Sequence, residues 1–236
     1  MNLPFFYIDQ YNDGQQTIVL NEDSSRHIIQ VLRMKTGEQL NLTDGKGHLL
    51  TAVIVEEHKK HCTVKVEASV YKEPSPKKVS IAISLLKNTS RFEWFLEKAT
   101  EIGVAHIIPL ICERTEKEKF RADRLQGILV SAMLQSQQVW LPVLHNPADY
   151  KDVFLVKEAK EASAKFIAHC EDAYNKQYIS SSSSSIILIG PEGDFTPKEI
   201  EQALQNDFKP VTLGDTRLRT ETAGMVAATL LVIDNA

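Results

Sequence analysis

The chain has 236 residues, of which 43% are hydrophobic and 25% are charged, and its net charge at neutral pH is −4. This length allows one large domain or two modest ones, and the composition is that of an ordinary globular protein. The negative total excludes a uniformly basic surface, so any nucleic-acid contact must come from a local patch.

Membrane, export and disulfide signals are absent from the sequence. No apolar run is long enough to span a bilayer, and residues 1–6 lack a basic start followed by an apolar stretch, so we expect neither a membrane helix nor a signal peptide. Cys62, Cys112 and Cys170 are dispersed, which predicts no disulfide framework and no metal site. We expect buried, reduced thiols in a cytoplasmic protein.

The first part of the chain is typical of a small β-barrel. Asp44-Gly45-Lys46-Gly47 predicts a tight turn, and the stretch Asp23–Leu32 predicts one helix with Ile28 on its apolar face. Around them, segments rich in β-branched residues predict five strands, at Phe5–Ile8, Thr17–Leu20, Glu38–Thr43, His48–Glu56 and Cys62–Tyr71.

Residues 72–78 predict a domain boundary, because two prolines among charges make a stiff, exposed connection. We therefore predict domains at residues 1–73 and 77–236.

Beyond the linker, strands alternate with helices, which predicts an α/β domain with a parallel sheet. The predicted strands are Val79–Leu86, Val104–Ile111, Lys165–His169, Ile186–Ile189 and Pro210–Leu213. Predicted helices contain Phe92–Ile102, lie within Ala122–Gln137, run from a capping box at Thr196 to about Asn206, and span Glu221–Ile233. The serine run Ser180–Ser185 predicts a surface loop.

Two loops that directly follow buried strands are the candidate ligand site. They are residues 189–195 and 213–223, and ligands of open α/β sheets bind beyond the carboxyl ends of strands. A Gly-Pro pair after a strand is equally typical of a plain turn. No GxGxxG follows a strand and no P-loop lysine is present, while Glu192, Asp194 and Glu221 would repel phosphate. Those carboxylates suit a positively charged ligand such as a sulfonium.

Four segments together resemble the 16S ribosomal RNA (uracil-N3)-methyltransferase family of the SPOUT superfamily. They are LIGPEGDFTPKEIE from Leu188, LGDTRLRTETA from Leu213, the block from Lys87 to Thr115, and the block from Ser24 to Gly47. The order of the segments is that of the family, and the resemblance spans nearly the whole chain. Asp194 stands where family members commonly have a second glycine, and Thr216 stands where many have arginine.

The resemblance implies a PUA-like N-terminal β-barrel that binds RNA, a C-terminal trefoil-knotted SPOUT domain, and a homodimer. It implies S-adenosylmethionine-dependent methylation of uracil N3 at a specific uridine, in free 16S rRNA or in the assembled small subunit. Because the sequence shows no metal-ligand cluster, we expect no metal, and we expect no membrane partner. The implied cofactor-binding residues are His169, Ile189, Gly190, Glu192, Gly193, Leu213, Gly214, Leu218 and Arg219, with Cys170 and Glu171 extending the wall formed by His169.

Arg219 is the candidate for stabilising negative charge on the uracil, and Glu221 is a candidate base. An acidic residue in a first helical turn is equally explained by the helix dipole. The RNA-binding candidates are Arg26, His27, Arg33, Lys35 and Arg114, although such charges are also typical of a solvated face. Three alternatives are a knotted methyltransferase acting on tRNA or ribose 2′-hydroxyls, a non-catalytic RNA-binding or ribosome-assembly protein, and a nucleotide-binding hydrolase.

Overall fold

The chain forms two compact units in the computed structural model, which describes residues 3–116, 120–171, 174–179 and 182–233. The first unit contains residues up to Pro74, and the second begins at Ser75. Met133–Leu141 also belongs to the first unit, although it lies far along the sequence from the rest of that unit. The division expected from the linker does not include this contribution.

The first unit is built on a five-stranded sheet. Its strands are β1 (Phe5–Tyr7), β2 (Thr17–Val19), β3 (Gln39–Thr43), β4 (His48–Glu56) and β5 (Thr63–Tyr71). They are ordered β1-β3-β4-β5-β2, and every pairing is antiparallel except that of β1 with β3. Alternate residues such as Leu40, Leu42 and Leu50 are fully buried with Ile28 of the adjoining helix, so one face of the sheet encloses the core. The sheet is a half-barrel whose edges are β1 and β2.

The helical segment of this unit is less regular than the sequence predicts. Asn21 caps α1 (Glu22–Arg26), and the chain continues through a wide π-helical turn, His27–Val31. Arg33 then adopts a left-handed conformation with φ of 56°. Arg26 and Arg33 therefore do not lie on one helix, because the helical segment ends before Arg33.

The turn after β3 packs against the late segment of the first unit. Gly47 N–H donates to Val139 O, and Leu141 N–H donates to Gly45 O, both at 2.9 Å. A Cβ at Gly47 would lie 2.7 Å from the ring of Trp140, so glycine permits this contact as well as the positive φ of 103°. The Trp140 indole N–H donates to Lys72 O, so Trp140 is a packing residue.

The second unit is a parallel sheet with the order β12-β10-β11-β6-β7-β8, and β9 pairs with β7. Its strands are β6 (Lys78–Ser84), β7 (His106–Ile111), β8 (Val143–Leu144), β9 (Ala148–Asp149), β10 (Ala164–Ala168), β11 (Ser184–Ile189) and β12 (Lys209–Val211). Its helices are α2 (Thr89–Ile102), α3 (Ala122–Gln135), α4 (Lys157–Glu161), α5 (Pro197–Gln205) and α6 (Thr220–Ile233), with a 3₁₀ segment at Tyr150–Leu155. The last three residues of α3 count with the first unit.

The sequence predicts the principal elements of this unit but not all of them. β8, β9, the 3₁₀ segment and α4 are unpredicted. The serine run is only partly a loop, because Ser184 and Ser185 begin β11, whereas Ser180 and Ser181 lie outside the described residues. The expectation of three buried thiols is wrong for Cys170, which is exposed.

Helix α6 reaches the centre of the sheet from its edge. The chain leaves edge strand β12 and returns to α6, which packs on β6 and α2. Gly224 permits this packing, because a Cβ there would lie 2.7 Å from the ring of Phe95 and 2.8 Å from Ile83. The segment that makes this return, residues 212–219, overlaps the second candidate ligand loop, residues 213–223.

Candidate functional site

A cavity of about 540 Å³ lies at the carboxyl ends of β10, β11 and β12. Three loops enclose it: the residues that follow β10, the glycine-containing loop after β11, and the long loop before α6. Parallel strands bring these three ends to the same edge of the sheet, which is where α/β folds bind ligands. The chain thus places both sequence-predicted loops in one site.

The loop after β11 is held by a tight turn and a capped helix. Asp194 N–H donates to Pro191 O at 2.9 Å, and Thr196 with Glu199 forms the predicted capping box of α5. A Cβ at Gly190 would lie 3.1 Å from the buried ring of Phe195. Glycine at this position therefore lets the loop fold back closely on its own aromatic residue.

Asp194 has a left-handed backbone with φ of 62°, the conformation that glycine adopts most easily. Its carboxylate accepts hydrogen bonds from the backbone N–H groups of Cys170 and Phe195, each at 2.8 Å. One side chain thereby ties the loop after β10 to the loop after β11. Glycine, which is common at this position in the resembled family, adopts a positive φ at little cost. In Asp194 the two hydrogen bonds offset the cost of that conformation.

His169 contributes a buried wall with unused hydrogen-bonding capacity. Neither ring nitrogen has a partner among the described residues, and the ring packs edge-on against Tyr174 at 5.2 Å between centroids. Burial, together with the positive charge of Lys176, lowers the pKa of His169 from its ordinary value, whereas Asp194 opposes the shift. The lowered pKa favours a neutral imidazole, whose N–H donor and unprotonated nitrogen acceptor are both available to a polar ligand.

The loop after β12 supplies backbone groups and basic side chains. The Thr212 hydroxyl and Gly214 are hydrogen-bonded to each other, and Gly214 has φ of 128°, which favours glycine. Thr216, Arg217 and Arg219 also line the cavity. Arg217 directly follows Thr216, the position at which many members of the resembled family have arginine. Arg219 is exposed, and its side chain makes no hydrogen bond or ion pair with the described residues.

The cavity carries both signs of charge. Its acidic residues are Glu192, Asp194 and Asp215, and its basic residues are Arg91, Lys176, Arg217 and Arg219. This mixture suits a ligand that combines positive and negative groups, and it does not form the purely basic cradle of a polyphosphate site.

Arg91 is a site residue that the sequence did not single out. It lies in the first turn of α2 and lines the cavity, and its Nε is 3.7 Å from Glu221 Oε1. Glu221 is buried in the first turn of α6 and does not line the cavity, and its Oε2 has no partner among the described residues. Only the folded sheet brings these distant residues together.

The structure brings eight of the nine expected cofactor-binding residues to the cavity wall: His169, Ile189, Gly190, Glu192, Leu213, Gly214, Leu218 and Arg219. Gly193 is not among the lining residues. Its Cα faces Arg114 instead, since a Cβ there would lie 3.3 Å from Arg114 Cδ, and Arg114 Nη1 donates to Gly193 O. Cys170 extends the wall, but Glu171 does not line the cavity.

The remaining RNA-binding candidates lie in the first unit. Arg26 pairs with Glu22 at 2.7 Å, Lys35 pairs with Glu57 at 3.2 Å, and His27 packs edge-on against Phe6. The side chain of Arg33 makes no hydrogen bond or ion pair with the described residues. These four residues are exposed.

Two family models match the chain. One describes an RNA methyltransferase domain and matches residues 73–232, and the other describes an RNA methyltransferase PUA domain and matches residues 20–67. The fold class predicted from the sequence, a PUA-like unit followed by a SPOUT methyltransferase domain, is confirmed. No helix among the described residues is long and apolar enough to cross a membrane.

The similar proteins include one relative compared by sequence and three solved structures. Ribosomal RNA small subunit methyltransferase E of Synechocystis is 31% identical, over 90% of this chain and 72% of its own. An rRNA-methyltransferase structure from Porphyromonas gingivalis is 39% identical with a TM-score of 0.87, covering 96% of this chain and 95% of its own.

Two of these structures contain the bound cofactor S-adenosylmethionine. A methyltransferase from Legionella pneumophila is 29% identical with a TM-score of 0.85, covering 98% of this chain and 97% of its own. Ribosomal RNA small subunit methyltransferase E from Neisseria gonorrhoeae is 31% identical with a TM-score of 0.82, covering 96% and 95%.

Proposed function

Because the chain belongs to the RNA methyltransferase family, we propose that it transfers a methyl group from S-adenosylmethionine to N3 of a uridine in 16S ribosomal RNA. The observation that carries the proposal is the single cavity in which eight expected cofactor-binding residues meet. Two similar structures were solved with S-adenosylmethionine bound.

The residues of the cavity fit this cofactor. Both nitrogens of His169 are buried without a partner in the described part of the chain, and the backbone of the loops after β11 and β12 offers further polar groups. The carboxylates of Glu192 and Asp194 suit the positive charges of S-adenosylmethionine, and the basic residues suit its carboxylate. When bound, the cofactor supplies a methyl group activated by a sulfonium.

The protein must make uracil N3 nucleophilic, since the protonated nitrogen reacts poorly. We assign Arg219 to stabilise the negative charge that develops on a uracil oxygen as the N3 proton passes to solvent water, because Arg219 lines the cavity and is exposed. We assign Glu221 to position Arg91 through their ion pair, rather than to act as the base, because Glu221 does not line the cavity. The rest of the catalysis is alignment of nucleophile and methyl group.

RNA binding is assigned to basic residues of both units. Arg33 has no ion pair among the residues that the structure describes, while Arg26 and Lys35 must exchange their carboxylate partners for phosphates. His27 is exposed beside Arg26. Arg114 is anchored to the loop after β11 and would contact RNA near the cofactor. Because the proposed substrate is 16S rRNA, either free or in the assembled small subunit, we expect the enzyme in the cytoplasm.

We also assign a homodimer to the second unit. Trp94 of α2 and Leu230 and Ile233 of α6 are large apolar side chains that remain exposed on two helices packed against each other. Burying such residues against a second copy would remove them from water.

The proposal is tested by deleting the gene and mapping the modified nucleosides of 16S rRNA by mass spectrometry. We expect one 3-methyluridine to disappear and to return with the parent protein but not with Arg219→Ala. Loss of a tRNA methylation or of a ribose 2′-O-methyl group would establish a different substrate. An unchanged modification pattern would indicate a non-catalytic protein.

A further inference from the structure

Two histidines and a glutamate meet at the opposite edge of the parallel sheet from the cofactor cavity. His106 is the first residue of β7, His145 directly follows β8, and Glu158 lies in α4. All three side chains are partly buried, and the trio belongs to the second unit. Because 39 residues separate the histidines in sequence, their proximity is invisible as a spacing motif.

The three facing atoms form a nearly regular triangle. His106 Nδ1 is 3.2 Å from His145 Nε2, and Glu158 Oε1 is 3.6 Å from the first atom and 3.8 Å from the second. A triangle with these sides has a circumscribed radius of about 2.1 Å, so one point lies at that distance from all three atoms. Bonds from zinc to nitrogen and to carboxylate oxygen are roughly 2.0–2.2 Å long.

We propose that His106, His145 and Glu158 form a binding site for a divalent transition-metal ion of the zinc type. Among the described residues, this is the only trio of potential ligands whose atoms all lie within 4.8 Å of one another. Three protein ligands leave a fourth position for water.

The protein fixes the ligands before any ion binds. β7 and β8 pair in register, and His145 N–H donates to Ile107 O at 2.9 Å, so two adjacent strands hold the imidazoles. The positive charges of Lys78 and Lys157 lie close enough to His106 to weaken the binding of a cation at this site. We therefore expect weaker binding than at a site with four protein ligands.

A bound ion would link β7, the residue after β8 and α4. It would stabilise the second unit, because an ion that binds only the folded chain shifts unfolding to higher temperature. The site lies at the amino end of β7, whereas the methyltransferase cavity lies at the carboxyl ends of β10 to β12, so the ion takes no part in methyl transfer.

The test is zinc binding to tag-free, full-length protein after treatment with chelator. Equilibrium dialysis and calorimetry with Zn²⁺ should give one ion per chain, and thermal melts should show a rise in Tm when zinc is added. His145→Ala and Glu158→Gln should each weaken zinc binding at least tenfold and abolish the rise in Tm. The matched control is His58→Ala/His61→Ala, which removes the exposed, stacked histidine pair of the first unit.

Retained S-adenosylmethionine affinity shows that each variant is folded, and Glu158→Gln decides the matter if His145→Ala does not fold. Zinc affinity unchanged in Glu158→Gln would overturn the proposal. So would loss of zinc only from the His58/His61 control, or no zinc binding by the parent, which would leave a hydrogen-bonded trio without a metal. Failure here leaves the methyltransferase assignment untouched.

Discussion

At the residue scale, Asp194 shows how a departure from a family pattern fits the backbone. Its φ of 62° explains why glycine is common there, and its two hydrogen bonds explain how aspartate is tolerated. Asparagine also adopts this conformation and retains one acceptor oxygen, whereas alanine offers neither advantage.

We therefore expect cofactor affinity to fall in the order parent, Asp194→Asn, Asp194→Gly, Asp194→Ala. Each charge-assisted hydrogen bond contributes about 1.5–3 kcal/mol, partly offset in the glycine variant by relief of backbone strain. Calorimetric titration with S-adenosylmethionine measures the order, and thermal melts report folding. An alanine variant with parental affinity would show that the link between the two loops does not shape the site.

Arg219 and the arginines of the first unit should separate chemistry from RNA binding. Arg219→Ala should lower the single-turnover rate at saturating cofactor by roughly a hundredfold or more, as expected when one donor to a developing anion is lost. Its RNA affinity should stay near that of the parent. A normal rate would transfer the role to other groups, of which Arg91 is the first to examine.

The double change Arg26→Ala and Arg33→Ala should leave cofactor affinity intact and weaken RNA binding. Each lost phosphate contact should reduce the salt slope by about one unit. Because Arg26 already pairs with Glu22, most of the effect should come from Arg33. RNA affinities at several salt concentrations measure this, and an unchanged slope would remove this segment from the RNA interface.

At the scale of elements, two glycines within helices differ in the space that surrounds them, so their alanine variants can be compared. Gly224 of α6 is pressed against Phe95 and Ile83, while a Cβ on Gly127 of α3 would have open space. Gly224→Ala should cost about 1–3 kcal/mol through overpacking. Gly127→Ala should stabilise the protein by about 0.5–1 kcal/mol. Chemical denaturation compares them, and equal effects would contradict close packing of α6.

Elements whose signals are local were predicted from the sequence. The buried strand β6, the capping box of α5 and the glycine that ends α2 each carry their own hydrophobic or capping signal. The two-residue strands β8 and β9 carry none, because pairing with β7 defines them. The π-helical turn after α1 buries Ile28 but departs from the α-helical period, so the apolar spacing predicts a helix there without this irregularity.

The candidate site likewise has features that the sequence predicts and features that it does not. The two loops were predicted because each directly follows a buried strand and because both carry family motifs. The contact of Arg91 with Glu221, the packing of Gly193 on Arg114, and the meeting of His106 with His145 and Glu158 join residues remote in sequence. Such contacts exist only after the sheet has formed, so no local pattern contains them.

At the scale of the whole molecule, the proposed homodimer is argued from exposed apolar side chains. We expect the parent to be a dimer in light scattering coupled to size exclusion, and Trp94→Glu with Leu230→Glu to be a monomer, because a charge cannot be buried there without a partner. Val70→Glu, at an exposed apolar residue of β5, is the control and should remain dimeric. A monomeric parent would refute the dimer.

Direct methyl transfer by the purified protein tests the central claim. The protein is incubated with isotopically labelled S-adenosylmethionine and either free 16S rRNA or small subunits lacking the modification, and the nucleosides are separated by mass spectrometry. We predict labelled 3-methyluridine at one uridine, with the label absent in Arg219→Ala. Label on a ribose or on another base, or no label on either substrate from a protein that binds the cofactor, would contradict the account.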